Sequence, residues 1–173
     1  MAIAELAQSL PDYARDIRLN LSSLLNETLL TDQQKWGTLL ACAHATGVRP
    51  LVEAAEAEAR ERLSPEAAHA ARAAAAVMAM NNVYYRFTHL CSNAEYRTLP
   101  ARLRMNVLGS PGVEKADFEL FCLAVSAING CGACVDAHER ALRQHGLSPP
   151  AIQAAVRLAA VVQAVGATLK AMG

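Results

Sequence analysis

Apolar residues along the chain recur at intervals of three and four, which is the spacing of an amphipathic α-helix. No segment alternates with the two-residue period of a β-strand, and alanine, a strong helix former, is abundant. Glycine and proline separate the periodic segments. The pattern predicts helices over residues 13–25, 32–45, 50–63, 65–86, 101–107, 116–129, 131–144 and 149–172. The sequence therefore predicts an all-α helical bundle.

Two stretches that lie 84 residues apart resemble each other. Residues 64–71 and 148–155 both begin with a serine suited to the N-cap, followed by proline at the first helical position. A shift of about the same size brings Gly47 onto Gly130, so that the helical hairpins around these glycines coincide. Two alanine-rich helices can look alike by chance, but the matched hairpins favour a duplicated helical unit.

The duplication predicts one domain of 173 residues with two similar halves, approximately 1–90 and 91–173. Val48 and Leu51 of the first half occupy the positions that correspond to a closely spaced cysteine pair in the second. We therefore expect only the second half to carry a reactive site.

Composition narrows the class of protein further. The hydrophobic fraction is 53% and the formal net charge is zero, as in a globular domain with a buried core rather than a disordered chain. A neutral chain with scattered basic residues has no electrostatic feature that predicts nucleic acid or an anionic membrane as a partner. The apolar stretch at residues 70–80 is interrupted by Arg72 and is too short to span a bilayer.

The cysteine content and the first residues predict a cytoplasmic protein. The chain has five cysteines, an odd number, and only Cys131 and Cys134 are close in sequence. A reducing compartment with one working pair explains this better than a secreted disulfide framework. The first residues also lack a basic region followed by an apolar one, so we expect no export signal.

The Cys131–Cys134 pair is the most informative feature of the chain. Asn129-Gly130 is typical of a helix end, so Cys131 should open the next helix, where the amide-rich N-terminus favours a thiolate. At about 100° per residue, Cys131, Cys134 and His138 fall on one narrow face of that helix. An imidazole on this face is positioned to accept the proton of Cys134.

Two other interpretations of these residues, and the status of the remaining candidates, have to be weighed. Two small buried cysteines are compatible with core packing alone. Cys131, Cys134 and His138 also supply three potential zinc ligands, although a closed structural zinc site needs four and no further ligand motif follows. Glu119 is a possible site residue on the preceding helix, but an acidic residue near a helix start is more often an ordinary stabilising charge. Core filling is the better explanation for the isolated Cys42, Cys91 and Cys122.

The chain resembles the alkyl hydroperoxidase D family within the wider carboxymuconolactone-decarboxylase-like superfamily. The centre of the match is Glu119, eleven residues, Cys131-x-x-Cys134, three residues and His138. Flanking similarity lies in residues 10–17, 19–23, 36–40, 78–83, 115–120 and 125–130, and so extends over nearly the whole chain.

The resemblance implies a homotrimer and a lipoyl-dependent peroxidase, an oxidoreductase that reduces alkyl hydroperoxides and works with a peroxiredoxin. It implies no bound cofactor and no metal; a dihydrolipoyl group on a lipoyl-bearing protein would serve as the external reductant. Cys134 would be the peroxidatic cysteine and Cys131, expected to be the more exposed, the resolving and exchange cysteine. Glu119, through a water, and His138 would form a proton relay.

One departure from the family pattern concerns the intrinsic activity. Some members have histidine immediately before the second cysteine, where this chain has Ala133. A low peroxidase rate would leave a thiol–disulfide adaptor that passes electrons between a lipoyl domain and a peroxiredoxin. A decarboxylase-type lyase on the same fold is a further alternative, although it needs no cysteine pair.

Overall fold

Eight α-helices make up most of the computed structural model, which describes residues 2–173. They are α1 (Ala2–Gln8), α2 (Arg15–Leu25), α3 (Asp32–Thr46), α4 (Arg49–Arg62), α5 (Pro65–Leu90), α6 (Lys115–Ile128), α7 (Gly132–Gln144) and α8 (Pro149–Met172). Short 3-10 turns occur at Asp12–Ala14, Ala94–Arg97 and Asn106–Leu108. No strand is present in residues 2–173, and the predicted all-α class is confirmed.

Side-chain caps set the starts of several helices, and those at Ser64 and Ser148 are the ones that the sequence predicts. Thr31 and Gln34 form a reciprocal capping box at the start of α3. Ser64 and Ser148 each accept a hydrogen bond from a backbone amide three residues on, and proline follows in the first turn of both α5 and α8.

The predicted helix over residues 101–107 is wrong, and α1 was missed. Arg102 has a left-handed φ of 54°, which interrupts a right-handed helix, and only Asn106–Leu108 forms a single 3-10 turn. Helix α1 has seven residues, too few for a clear periodic pattern. Tertiary contacts hold α1 in place: Ile3 is buried, and its backbone amide donates a hydrogen bond to the Glu58 carboxylate at 3.2 Å.

The helices follow one another as two triplets of similar lengths. Helices α3, α4 and α5 have 15, 14 and 26 residues, and α6, α7 and α8 have 14, 13 and 24. The first two helices of each triplet meet at a glycine with positive φ, Gly47 at 65° and Gly130 at 68°. A duplicated unit would produce this order, and the duplication and the division into halves stay a prediction.

Helix α8, rather than the apolar stretch at residues 70–80, is long and apolar enough to cross a membrane by length and composition. Its apolar side is used in the core instead. Leu158, Ala159, Val162 and Val165 are buried in the main hydrophobic cluster, and α8 packs against α2, α3 and α6. This is the arrangement of an amphipathic helix whose apolar face packs against the core of a bundle.

Helices α3 and α6 cross closely, and Gly37 makes this approach possible. A Cβ atom built at Gly37 would overlap the ring of Phe121, which is fully buried. The ring therefore occupies the space that any larger residue at position 37 would need. This close approach fixes α6, which carries Glu119, against the central helix α3.

Gly37→Ala is expected to destabilise the fold. Alanine gains roughly 1 kcal/mol of helix propensity over glycine, but overpacking a dense core costs about 1–3 kcal/mol or more. Because the added Cβ would overlap the fully buried ring of Phe121, we expect a net loss of about 1–2 kcal/mol in the free energy of unfolding, measured by urea denaturation. The matched control is Gly109→Ala, where the added Cβ would meet only an ordinary contact at 3.5 Å. Equal stability of the two variants would contradict the packing argument.

Candidate active site

Cys131 and Cys134 are joined by a disulfide at the start of α7, with their Cα atoms 5.3 Å apart. Cys131 is the N-cap residue rather than the first helical residue, and its sulfur accepts a hydrogen bond from the Cys134 amide at 3.4 Å. The chain reaches this position through a tight corner, in which the Cys131 amide donates to the Ser126 carbonyl at 3.1 Å. The helix N-terminus thus contacts one sulfur of the pair directly.

The two sulfurs differ in access, and the expected order is wrong. Cys131 is 0% exposed, whereas Cys134 is 7% exposed and lines a cavity. As a cap, the Cys131 side chain folds back over the amides of its own helix, which hides it. Cys134, three residues on, borders the cavity with Ala133, Ala137 and His138.

His138 lies on the same face of α7 as Cys134, as predicted, and pairs with a carboxylate of α6. Its Nδ1 is 2.6 Å from Glu119 Oε2, and both side chains are buried. The expectation of a bridging water is therefore wrong: the two groups bond directly. The second oxygen, Glu119 Oε1, lies 3.0 Å from Lys115 Nζ, one turn earlier on α6. The antiparallel α6–α7 hairpin brings together residues that helical periodicity alone left apart.

The charge on Glu119 follows from these contacts. Burial raises the pKa of this carboxyl, but hydrogen bonds and charge interactions with His138 and Lys115 outweigh burial and leave the pKa below its usual value. Glu119 is therefore ionised at neutral pH and accepts the Nδ1 proton of His138. This directs the other ring nitrogen, Nε2, toward the Met78 sulfur at 3.3 Å and the neighbouring cavity.

The cavity beside Cys134 has a volume of about 380 Å³. Helices α5 and α7 and the loop before α6 form its wall. The lining residues are Met78, Asn81 and Tyr85 of α5, Met105 and Leu108 of the loop, and Ala133, Cys134, Ala137 and His138 of α7. Most of this lining is apolar, and Ala133 contributes only a methyl group. The cavity can hold a small, largely apolar molecule next to a sulfur and an imidazole.

Helix α5 holds the corner before the cysteine pair through side chains that the sequence analysis did not single out. Arg86 donates to the Asn129 carbonyl at 2.5 Å, and the Asn129 side chain donates to Asn82 Oδ1 at 3.0 Å. Asn82 in turn donates to the Ser126 hydroxyl at 2.9 Å. Two adjacent asparagines within an apolar, alanine-rich helix were the available signal, because buried amides require partners.

Comparison with known proteins identifies the family. Relatives from Rhizorhabdus wittichii, Maricaulis maris and Hyphomonas neptunium, each named "Alkyl hydroperoxide reductase AhpD", are 66%, 62% and 61% identical to the chain. The matches cover 95%, 99% and 99% of this chain and 95%, 99% and 95% of the relatives. The carboxymuconolactone decarboxylase family also matches residues 94–173, the part that contains the cysteine pair. The chain belongs to the AhpD family.

The remaining cysteines of this AhpD family member lie outside the site. Cys42 and Cys122 are fully buried, and burial raises the pKa of both thiols far above neutrality, so both are unreactive core residues. Cys91 is partly exposed at the end of α5, so the expectation of core filling is wrong for this residue.

A second network of polar and charged side chains surrounds Glu56 on α4. Glu56 contacts His44 Nε2 at 2.8 Å and binds the Arg72 guanidinium through both oxygens. The hydrogen bond from Arg72 is the main reason why the pKa of Glu56 falls to about 2, although burial opposes it. This network ties α3, α4 and α5 together. Within residues 2–173, no group of three or more His, Cys, Asp or Glu side chains is arranged to hold a metal ion.

Proposed function

We propose that this protein is an antioxidant alkyl hydroperoxide reductase that uses the Cys131–Cys134 dithiol and is re-reduced by a dihydrolipoyl group. The proposal rests on one observation: a cysteine pair and a buried Glu119–His138 pair lie beside the same cavity. The name that the relatives share supports peroxide reduction in general. Lipoyl dependence, the peroxiredoxin partner, the homotrimer and the cytoplasmic location stay proposals.

The first half of the cycle oxidises the dithiol. His138 Nε2 accepts the proton of the Cys134 thiol. The ionised Glu119, which is hydrogen-bonded to Nδ1 of the same ring, stabilises the resulting imidazolium. The Cys134 thiolate attacks the terminal peroxide oxygen, the O–O bond breaks, and the alkoxide takes the proton back from His138. Cys134 is then a sulfenic acid. The Cys131 thiol condenses with it, a disulfide forms and water leaves.

The second half of the cycle consumes the dihydrolipoyl group. We assign the first attack to Cys134 rather than Cys131, because only Cys134 lines the cavity and Cys131 is fully buried. A lipoyl thiolate displaces Cys131, whose departing thiolate is stabilised by the Cys134 amide and the helix N-terminus. The second lipoyl thiol then displaces Cys134, which leaves the protein dithiol reduced and the lipoyl group oxidised.

A thiol–disulfide adaptor with little peroxidase activity of its own is the second candidate. Its support is Ala133, which adds no acid or base to the cavity wall. In that case the Cys134 thiolate would deliver electrons to a peroxiredoxin disulfide by the same exchange chemistry. The lyase alternative lacks comparable support, because the disulfide at the cavity has no role in a decarboxylation.

Oxidation of NADH coupled through lipoamide dehydrogenase and lipoamide tests the proposal. With cumene hydroperoxide and the wild-type protein alone, we expect steady NADH consumption that depends on both lipoamide and the protein. The control is the same mixture with the protein alkylated after reduction, which blocks both site thiols. Consumption only after a peroxiredoxin is added would favour the adaptor. Failure of reduced lipoamide to open the disulfide would contradict both.

A further inference from the structure

Asn81 contributes an unsatisfied polar atom beside the proposed reaction centre. It lies on α5, is only 4% exposed and lines the same cavity as Cys134 and His138. Its Oδ1 is buried without a hydrogen-bond partner among residues 2–173. An unsatisfied buried acceptor costs about 1–3 kcal/mol, so its retention calls for an explanation.

The orientation of the Asn81 amide follows from its neighbour. Its Nδ2 lies 3.6 Å from the Met105 sulfur. A thioether sulfur has no proton to donate, so the amide nitrogen must face it, and the carbonyl oxygen is the atom left over. The adjacent Asn82 differs: its nitrogen donates to Ser126 and its oxygen accepts from Asn129. Both polar groups of the Asn82 side chain are therefore hydrogen-bonded within the fold, whereas Asn81 keeps a free acceptor.

The rest of the cavity restricts the chemistry of a partner for this oxygen. Met105, Leu108 and Tyr85 make much of the wall apolar. An organic hydroperoxide combines one O–H donor on its terminal oxygen with an apolar substituent, and thus matches a free acceptor such as Asn81 Oδ1 beside largely apolar walls. The oxygen is covered in the disulfide form, so a ligand must displace a neighbouring side chain to reach it. Met105 is unbranched and lies in a loop, which suits it to that movement.

We propose that Asn81 Oδ1 accepts a hydrogen bond from the O–H of an organic hydroperoxide and thereby orients its terminal oxygen toward Cys134, with the organic substituent against Met105 and Leu108. The inference rests on the proposed function and adds to it a residue that orients the substrate. As the thiolate attacks, the S–O bond forms, the O–O bond breaks, and sulfur is oxidised. The alkoxide leaves with the proton held by His138. The hydroxyl hydrogen stays on the oxygen that becomes the sulfenic acid, so Asn81 can hold this group until Cys131 condenses with it.

The test separates the two half-reactions in Asn81→Leu, which removes the acceptor at similar volume. Reduced protein is mixed with cumene hydroperoxide in a rapid-quench instrument, and remaining thiols are counted by mass spectrometry. Loss of one hydrogen bond should slow oxidation about five- to tenfold. The rate at which the Cys134 thiolate attacks methyl methanethiosulfonate, a thiol reagent that has no O–H, should change less than about twofold. Reduction of the disulfide by dihydrolipoamide should also stay within about twofold.

Three outcomes decide the inference. Selective slowing of peroxide oxidation supports it, and Asn81→Ala provides the same comparison if the leucine variant does not fold. Unchanged oxidation would overturn it, as would equal slowing with peroxide and methanethiosulfonate, which indicates a distorted site. Failure of the wild-type protein to react with cumene hydroperoxide would instead refute the proposed peroxidase activity, a result that the variants are not needed to recognise.

Discussion

Replacing either site cysteine with serine is expected to reduce turnover with dihydrolipoamide and peroxide to background, because ring closure needs both sulfurs. The two variants should nevertheless differ in a single turnover. Cys131→Ser keeps the cavity-lining sulfur and the Glu119–His138 pair, so it should consume one equivalent of cumene hydroperoxide and accumulate a sulfenic acid at Cys134. Cys134→Ser retains only the buried sulfur and should consume almost none.

The measurement is dimedone trapping of the sulfenic acid with mass spectrometry, alongside the coupled steady-state assay. Cys91→Ser is the matched control, because Cys91 lies outside the site and is partly exposed. It should keep full activity. Retained steady-state activity in Cys131→Ser would refute the two-cysteine cycle. A peroxide-induced disulfide through Cys42, Cys91 or Cys122 would also contradict it.

The second large effect is expected from the Glu119–His138 pair. His138→Phe removes the proposed base, and loss of general acid–base catalysis typically costs about 10²–10⁴-fold in rate. The apparent pKa of the Cys134 thiol should rise, so that its alkylation near neutral pH slows and the profile moves to higher pH. Glu119→Gln removes the charge that stabilises the imidazolium and should move the profile in the same direction by less. The double variant should add little to His138→Phe, because groups that act as a unit are not additive.

Alkylation of Cys134 as a function of pH, in a Cys131→Ser background, measures this effect. Asp117→Asn is the matched control: Asp117 is a buried carboxylate on the same helix, but it accepts hydrogen bonds from Gln33 and Gln34 of α3. Its loss should lower stability and leave the alkylation profile unchanged. If the profile of Glu119→Gln matches that of Asp117→Asn, Glu119 is only a structural carboxylate.

Local chemistry allowed the sequence to predict much of this protein. Serine and proline at the starts of α5 and α8, and the break at Gly130, act within one turn of the chain. The common face of Cys134 and His138 follows from helical geometry alone, because residues four apart are separated by about one turn of an α-helix. These features depend on neighbours in sequence, and the structure contains all of them.

The tertiary structure decided what depends on contacts between helices. Helical periodicity does not separate Glu119 from Asp117, and only the resemblance to a known family singles out Glu119. The α6–α7 hairpin brings Glu119 to His138, and the α3–α6 contact brings Asp117 to two glutamines. The burial of Cys131 arises from its role as a cap at a tight corner. The free oxygen of Asn81 depends on Met105, 24 residues away. Periodicity specifies which face of a helix is buried, but the partner on that face is determined by packing across the bundle.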